Sequence, residues 1–307
     1  MRVLVTGALG FIGHHLCSHL TNIGYDVFGI DNLSRGRADR LQILKKYGVE
    51  VSLIDVRDLN ALTEYLLKVR PEAVVHLAAL ISVEESFEKP LLYEDVNVRG
   101  TISAVLASNK AGVWRFVYVS SAAVYGNPRY LPIDEEHPTI PLSPYGVTKL
   151  AGEYFTKLLF RGGGRTLILR LFNVYGPGQN PEYAGVIVKF MERLMKNEPP
   201  VIYGDGEQTR DFIYVTDVVE AIEKAVNVSI EGDAVLNIGT GEPTTIKELA
   251  HKMIKAFRAN VNPVHAPPRK GDVRHSYADI RKAAAILKWI PKVRLDRGLL
   301  NLIKVNL

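Results

Sequence analysis

Short runs rich in Val, Ile, Leu and Phe alternate with amphipathic stretches through the first half of this chain of 307 residues. Val3–Thr6, Val27–Ile30, Val49–Ile54, Ala73–Leu77, Phe116–Ser120 and Thr166–Leu171 read as strands. Leu59–Lys68, Leu91–Ala111 and Tyr145–Phe160 carry the helical period and read as helices. Apolar strands without a polar face must be covered on both sides, which a parallel sheet between two helix layers achieves. Right-handed crossovers then predict an α/β fold built on a doubly wound parallel sheet.

After about residue 175 the pattern changes. The stretch 173–181, Asn-Val-Tyr-Gly-Pro-Gly-Gln-Asn-Pro, is rich in turn formers and reads as a linker or loop. Helix Val186–Lys196, strand Pro200–Tyr203 and helix Val215–Val228 follow it. Strand Ala234–Ile238, helix Thr245–Arg258 and a loop over Pro263–Gly271 come next. We therefore expect a larger domain over 1–175 and a smaller lobe over 176–307, with an element near 215–241 returning to the main sheet.

Composition narrows the function classes. The hydrophobic fraction of 47% is that of a globular protein, and no apolar run approaches the ~18 residues of a membrane span. Met1-Arg2 leads directly into the first strand, so no signal peptide is expected. Cys17, the single cysteine, cannot form an internal disulfide, and a reducing cytosol is the expected setting. The net charge of +5 suits small anionic ligands; without a long Lys/Arg run, no nucleic-acid or membrane partner is expected.

Candidate chemistry begins with Val3-Leu-Val-Thr-Gly7-Ala-Leu-Gly10-Phe-Ile-Gly13, a strand, a glycine turn and the start of a helix. Gly7 permits the turn, Gly10 lets backbone approach a pyrophosphate, and Gly13 lets helix and strand pack closely. Asp31 follows the second strand, where a carboxylate accepts hydrogen bonds from ribose hydroxyls and repels a 2′-phosphate, favouring NAD over NADP. Arg35 and Arg37 speak for NADP unless they belong to a solvated loop.

Tyr145-Gly-Val-Thr-Lys149 places a phenol and an amine four residues apart, on one face if helical. A lysine ammonium beside a phenol favours the phenolate and is expected to lower its pKa from ~10. Alone, the pair also suits an ordinary helix surface. Ser120-Ser121-Ala-Ala-Val-Tyr-Gly126 starts at the end of an apolar strand, where ligand sites of parallel sheets lie. A serine there can relay a substrate proton or cap a helix.

Together these residues resemble the extended short-chain dehydrogenase/reductase superfamily and, within it, the UDP-glucose (UDP-galactose) 4-epimerase family. The resemblance spans essentially the whole chain and implies a Rossmann-type NAD domain with a UDP-sugar lobe. It implies Ser121, Tyr145 and Lys149 as catalytic residues. NAD would be held by Gly7, Gly10, Phe11, Ile12, Gly13, Asp31, Asn32, Ser34 and the adenine-contacting pair Asp55-Val56. His76-Leu77-Ala78-Ala79, Asn97 of Asn-x-x-Gly100, Ser120, Tyr145, Lys149 and Phe172 complete that set. The UDP-hexose would meet Val83, Ser121, Tyr145, Asn173, Gly185, Val186, Val201, Tyr203, Arg210, Arg269, Asp272 and Ser276. Arg210 and Arg269 suit a diphosphate, although Asp211 and Asp272 beside them could instead take them in surface ion pairs. Helices Leu91–Ala111 and Tyr145–Phe160 are the ones this family pairs in a homodimer.

Related 4,6-dehydratases carry an Asp-Glu pair after the catalytic serine, and related decarboxylases a glutamate nearby. Ala122-Ala123 stands here and transfers no proton, which leaves redox at a carbinol carbon. C4 epimerisation of UDP-glucose and UDP-galactose through a 4-keto sugar is the resulting expectation. A net oxidoreductase or reductive epimerase, and an NAD-sensing regulator, remain the alternatives. Ser276 falls where some epimerases have a bulky tyrosine, so UDP-GlcNAc and UDP-GalNAc are also expected to be accepted. His14, His15 and His19 are expected near the outer face and not to bind a metal, having no third ligand at suitable spacing. Trp114 and Trp289 are expected to be packing residues.

Overall fold

The computed structural model describes residues 1–181, 185–268 and 273–306. Its first half runs β1 (Arg2–Thr6), α1 (Phe11–Asn22), β2 (Asp26–Asp31), α2 (Asp39–Lys46), β3 (Glu50–Leu53), α3 (Leu59–Val69) and β4 (Ala73–His76). Then come α4 (Val83–Glu88), α5 (Pro90–Glu94), a π turn (Asp95–Arg99), α6 (Gly100–Lys110), β5 (Arg115–Ser121), α7 (Pro144–Leu159), β6 (Thr166–Leu171) and β7 (Asn173–Tyr175). The second half holds α8 (Val186–Met195), β8 (Val201–Tyr203), β9 (Thr209–Tyr214), α9 (Val215–Asn227), β10 (Ala234–Ile238) and β11 (Pro243–Thr245). It ends with α10 (Ile246–Phe257), β12 (Val264–Ala266), β13 (His275–Ser276), α11 (Arg281–Leu287) and α12 (Leu295–Asn306).

Seven parallel strands form the main sheet in the order β10-β6-β5-β4-β1-β2-β3. Alternate side chains of each strand feed opposite cores. Val3, Val5, Val75, Val117, Leu167 and Leu169 meet Leu16 and Leu20 of α1 and Val218 and Ile222 of α9 on one face. Leu4, Val74, Phe116, Tyr118 and Ile168 meet Leu62 and Leu66 of α3 and Ala104 and Val105 of α6 on the other. This double covering is why the strand sequences carry no polar face.

β10 pairs with β6 at the sheet edge, and α9 packs on α1 and on β5 and β6, so residues after 214 do enter the main layers. A smaller core joins α8, α10 and α12 around Ile202, Phe212 and Tyr214. Two segments read as loops contain strands. β7 lies in the turn-rich stretch and pairs with β9; β12 lies in the 263–271 stretch and pairs with β8. Each is three residues long and held by backbone pairing to a distant strand, which local composition does not encode. The single helix expected over 91–111 is α5, the π turn and α6.

Asp211 of β9 ties the smaller core to the loop that follows β10 of the main sheet. It is fully buried and accepts from Thr240 N–H (2.7 Å), Thr240 O–H (2.6 Å), Gly241 N–H (2.9 Å) and Ala278 N–H (3.1 Å). All four donors need an acceptor. Asp211→Asn would turn an NH₂ group against them and should cost about 2–3 kcal/mol. Thermal unfolding should then show a midpoint several degrees lower; an unchanged midpoint would remove Asp211 from this role.

Candidate active site

The glycine turn follows β1 at the carboxyl edge of the sheet. Gly7 has φ of 69°, the left-handed region that glycine tolerates. A Cβ on Gly13 would lie 2.0 Å from the Gly7 carbonyl oxygen, so only glycine lets α1 start this close to β1. Gly10 precedes α1, and no side chain caps the helix. That end faces a cleft of about 390 Å³ lined by Gly7, Gly10, Phe11, Ile12 and Gly13, an arrangement suited to a phosphate. A second cavity of about 90 Å³ adjoins the turn and is lined by Asp31, Asn32, Ser34, Val56, Leu77, Ala78 and Ala79.

Asp31 is buried and accepts from Leu9 N–H (3.0 Å) and Leu33 N–H (2.8 Å), while burial raises its pKa. Each oxygen keeps a lone pair for a ribose hydroxyl. The two nearby arginines are both engaged. Arg35 pairs with Glu85 at 2.7 Å and Arg37 with Asp39 at 2.7 Å, so a 2′-phosphate would have to displace a carboxylate. Asp55 turns away from the small cavity toward Arg57 (2.7 Å) and Asn32 (2.8 Å), leaving Val56 at the wall.

Ser121, Tyr145 and Lys149 line the larger cavity together, with Ser120, Leu77, Ala79, Phe172, Asn173, Gly185 and Val186. Ser121 ends β5. Tyr145 and Lys149 share a face of α7, which begins with Ser143 Oγ capping Gly146 N–H and Pro144 in the first turn. A wider surface groove of about 730 Å³ lies over the Arg57–Asp55 and Arg57–Asp95 ion pairs and holds none of the three.

The electrostatics differ from the expectation. Burial raises the Tyr145 pKa, and the hydrogen bond with Ser121 lowers it, less strongly. The Lys149 Nζ lies over the Tyr118 ring, 4.4 Å from its centre. Burial brings Lys149 down to about 7, against the opposing pull of Glu153. Glu153, one further turn along α7, accepts from Arg170 Nε (2.9 Å) and Nη2 (2.7 Å) and from Ser120 O–H (2.5 Å).

Asn97 lines neither cavity and acts on the backbone around them. Its Oδ1 accepts from Leu80 N–H (2.8 Å), and its Nδ2 donates to Leu80 O and Thr148 Oγ1 (both 3.0 Å). Thr148 then donates to the Tyr145 carbonyl (2.8 Å). Thr6 Oγ1 accepts from Leu77 and Ala78 N–H, so its own proton goes to His76 Nδ1 (2.9 Å). Thr101 donates to the Asn97 carbonyl (2.6 Å), so it must accept from His76 Nε2–H (3.2 Å). His76 is thereby a neutral link between the glycine turn and α7. Burial, aided by Lys149, keeps its pKa near 3.

Val83, Val201, Tyr203, Arg210 and Ser276 lie outside the lining of the larger cavity. Val201 and Tyr203 belong to β8, while Arg210 faces Ser276 in the β9–β13 register. Arg210 does not take Asp211 as its partner, because four other donors occupy that carboxylate. Arg269 and Asp272 fall outside the described residues. Glu85, Tyr93, Gln179 and Phe212 line the cavity without having been expected to. Only Gln179 had a signal, its place in the turn-rich stretch after β7.

His14 and His15 are not on an open face. They are half-buried, bonded to Gly10 O and Pro177 O (both 2.9 Å), because the 177–178 turn and Arg40 cover that side of α1. Among the described residues no group of three or more His, Cys, Asp or Glu could hold a metal, and no helix is long and apolar enough to cross a membrane. Trp289 is buried with its N–H on Asp217 O, whereas Trp114 is 45% exposed at the chain's surface.

Known proteins share this arrangement. Residues 3–239 match the NAD dependent epimerase/dehydratase family. The UDP-glucose 4-epimerase of Mycolicibacterium smegmatis is 39% identical over 97% of this chain and 96% of its own. The Thermotoga maritima UDP-glucose 4-epimerase, solved with UDP-glucose, superimposes with a TM-score of 0.92 at 37% identity over 99% of this chain and 98% of its own. The Methanobrevibacter ruminantium UDP-N-acetylglucosamine 4-epimerase, solved with UDP-N-acetylmuramic acid, gives 0.92 at 33% identity over 99% and 97%. The chain belongs to the NAD-dependent epimerase/dehydratase family.

Proposed function

We propose that this protein is an NAD-dependent UDP-sugar 4-epimerase that interconverts UDP-glucose and UDP-galactose. The observation that carries the reading is one cavity lined at once by the glycine turn, Ser121, Tyr145 and Lys149. Gly7, Gly10 and the α1 N-terminus would hold the NAD diphosphate, Asp31 and Asn32 its adenosine ribose, and Val56 its adenine. When bound, NAD supplies a positively charged ring that reversibly accepts hydride from the sugar carbon.

Tyr145 is the proton carrier. Its Oη takes the proton of the sugar 4-hydroxyl, directly or through Ser121, and later returns a proton to the same oxygen. Because the same oxygen loses and regains the proton, no second acid or base is needed, in keeping with alanines at 122 and 123. Lys149 would hold the nicotinamide ribose and supply positive charge in a dry site where charge acts strongly. Asn173, Gly185 and Val186 would line the path of the sugar diphosphate, with Arg210, Val201 and Tyr203 beyond the cavity. Val83 and Arg269 with Asp272 complete the substrate set suggested by sequence. The exposed Leu91 of α5 and the exposed Val147, Tyr154 and Leu158 of α7 favour these helices as the contact in a homodimer.

Tyr145→Phe should lower UDP-galactose turnover by about 10²–10⁴-fold while NAD still co-purifies. Near-normal turnover, read by separating the two UDP-sugars, would sink the assignment; stoichiometric NADH formation would instead point to a net oxidoreductase.

Lys149 predicts a pH effect on stability. Its folded pKa of about 7 lies below the free value of 10.5, so between these limits the unfolded chain binds more protons and stability rises with pH. The destabilisation is complete below about pH 7 and is relieved above it, at up to ~1.4 kcal/mol per pH unit. Urea unfolding should show Lys149→Met more stable at pH 7, its advantage shrinking toward pH 9, and with little turnover. An advantage that does not change with pH would contradict the buried, shifted amine.

The small Ser276 side chain favours acceptance of UDP-GlcNAc and UDP-GalNAc. Steady-state kinetics should detect both, and Ser276→Tyr should cut N-acetyl turnover at least about tenfold while sparing UDP-glucose. No N-acetyl turnover by the unmodified protein would exclude the broader range.

A further inference from the structure

β1 lies between β2 and β4 in the main sheet, so the loop after β2 and the segment after β4 flank the glycine turn on its two sides. One residue from each meets the other across it. Arg35 Nη2 donates to both Oε1 and Oε2 of Glu85 at 2.7 Å. Arg35 lines both the larger and the smaller cavity, in company with Gly7, Gly10, Leu77 and Ala79. It is the charged residue the two cavities have in common, so a ligand long enough to fill both must run past the Arg35–Glu85 pair.

Glu85 is firmly anchored on its own side. Ser82 Oγ accepts from its N–H (3.1 Å), Lys89 Nζ donates to Oε1 (2.9 Å), and Tyr93 Oη donates to Oε2 (3.1 Å). Tyr93 is fully buried and packs with Leu80 and Tyr145. Lys89, then Arg35 and Tyr93, hold the carboxyl well below its ordinary pKa, so it stays an anion across the working range. The pair is part-buried, with side chains 30% and 14% exposed, and therefore responds to salt without being dissolved by it.

We infer that Glu85 is a positioning residue for the bound dinucleotide: acting through Arg35, it closes a bridge across the glycine turn that must open before the cofactor leaves. The inference rests on the dinucleotide reading of the cleft and is independent of which sugar is turned over. It accounts for Arg35, which is neither a solvated loop residue nor free for a 2′-phosphate.

The test is the release rate of NADH from the loaded protein, followed by loss of its fluorescence after mixing with excess NAD⁺. Glu85→Gln should release NADH about tenfold faster than the unmodified protein. Salt should accelerate release from the unmodified protein and have much less effect on the variant. Arg35→Glu and Glu85→Arg should each release faster, and the double reversal should return to within about threefold of the starting rate. Tyr93→Phe keeps the ion pair and should release at the unmodified rate. Glu85→Gln at the unmodified rate, a double reversal no slower than the single ones, or Tyr93→Phe as fast as Glu85→Gln would each overturn the inference. Failure of the unmodified protein to bind NADH would strike at the dinucleotide reading instead.

Discussion

Glu153 and Arg170 are 2% and 5% exposed and face each other between α7 and the carboxyl end of β6, with Lys149 4% exposed one turn away. Two cations and one anion are thus removed from water in one place. Burying charge is costly unless geometry and hydrogen bonding are close to complete, and breaking such a pair leaves an uncompensated charge. Here the fork of Arg170 meets both carboxylate oxygens, and Ser120 occupies one of them as well. The Ser120–Arg170 register of β5 and β6 fixes one half of this arrangement, and the four-residue spacing of Tyr145, Lys149 and Glu153 fixes the other.

Much of the site's rigidity follows from that cluster. Arg170 also stacks on Tyr125 at 4.8 Å, and Tyr125 reaches Asn237 of β10 at 2.6 Å. The ends of β5, β6 and β10 and the middle of α7 are therefore one unit. A second unit runs from Thr6 through His76, Thr101, Asn97 and Thr148 to the Tyr145 backbone, each hydroxyl both accepting and donating a hydrogen bond. Asn97 sits in the π turn of Asp95–Arg99, the kind of helical bulge found frequently at functional sites.

The division of labour between the layers follows from the topology. The main sheet supplies the glycine turn, Ser121 and helix α7 with Tyr145 and Lys149, all at its carboxyl edge, where parallel sheets place their ligands. The smaller lobe supplies Gly185 and Val186 at the start of α8 and Phe212 of β9. Asp211 holds β9 to the loop after β10 and to Ala278, while β7 pairs with β9, so β9 is tied both to that loop and to the strand that follows β6.

Near-continuous apolar strands, the glycine spacing and the Tyr145–Lys149 interval were legible along the chain because each is local. An apolar strand needs two covered faces wherever it lies, a 2.0 Å clash excludes a side chain at residue 13, and four residues always make one helical turn. The short strands β7 and β12, the engagement of Arg35 by Glu85 and the four donors around Asp211 were not legible, since each joins residues far apart in sequence. The amino-acid order by itself determined the sheet, the dinucleotide turn and the placing of the Tyr145 phenol four residues from Lys149 on one helix. Only the tertiary structure decided the charge environment of that phenol, because desolvation and the direction of Lys149 depend on what packs around α7 and not on the residues that compose it.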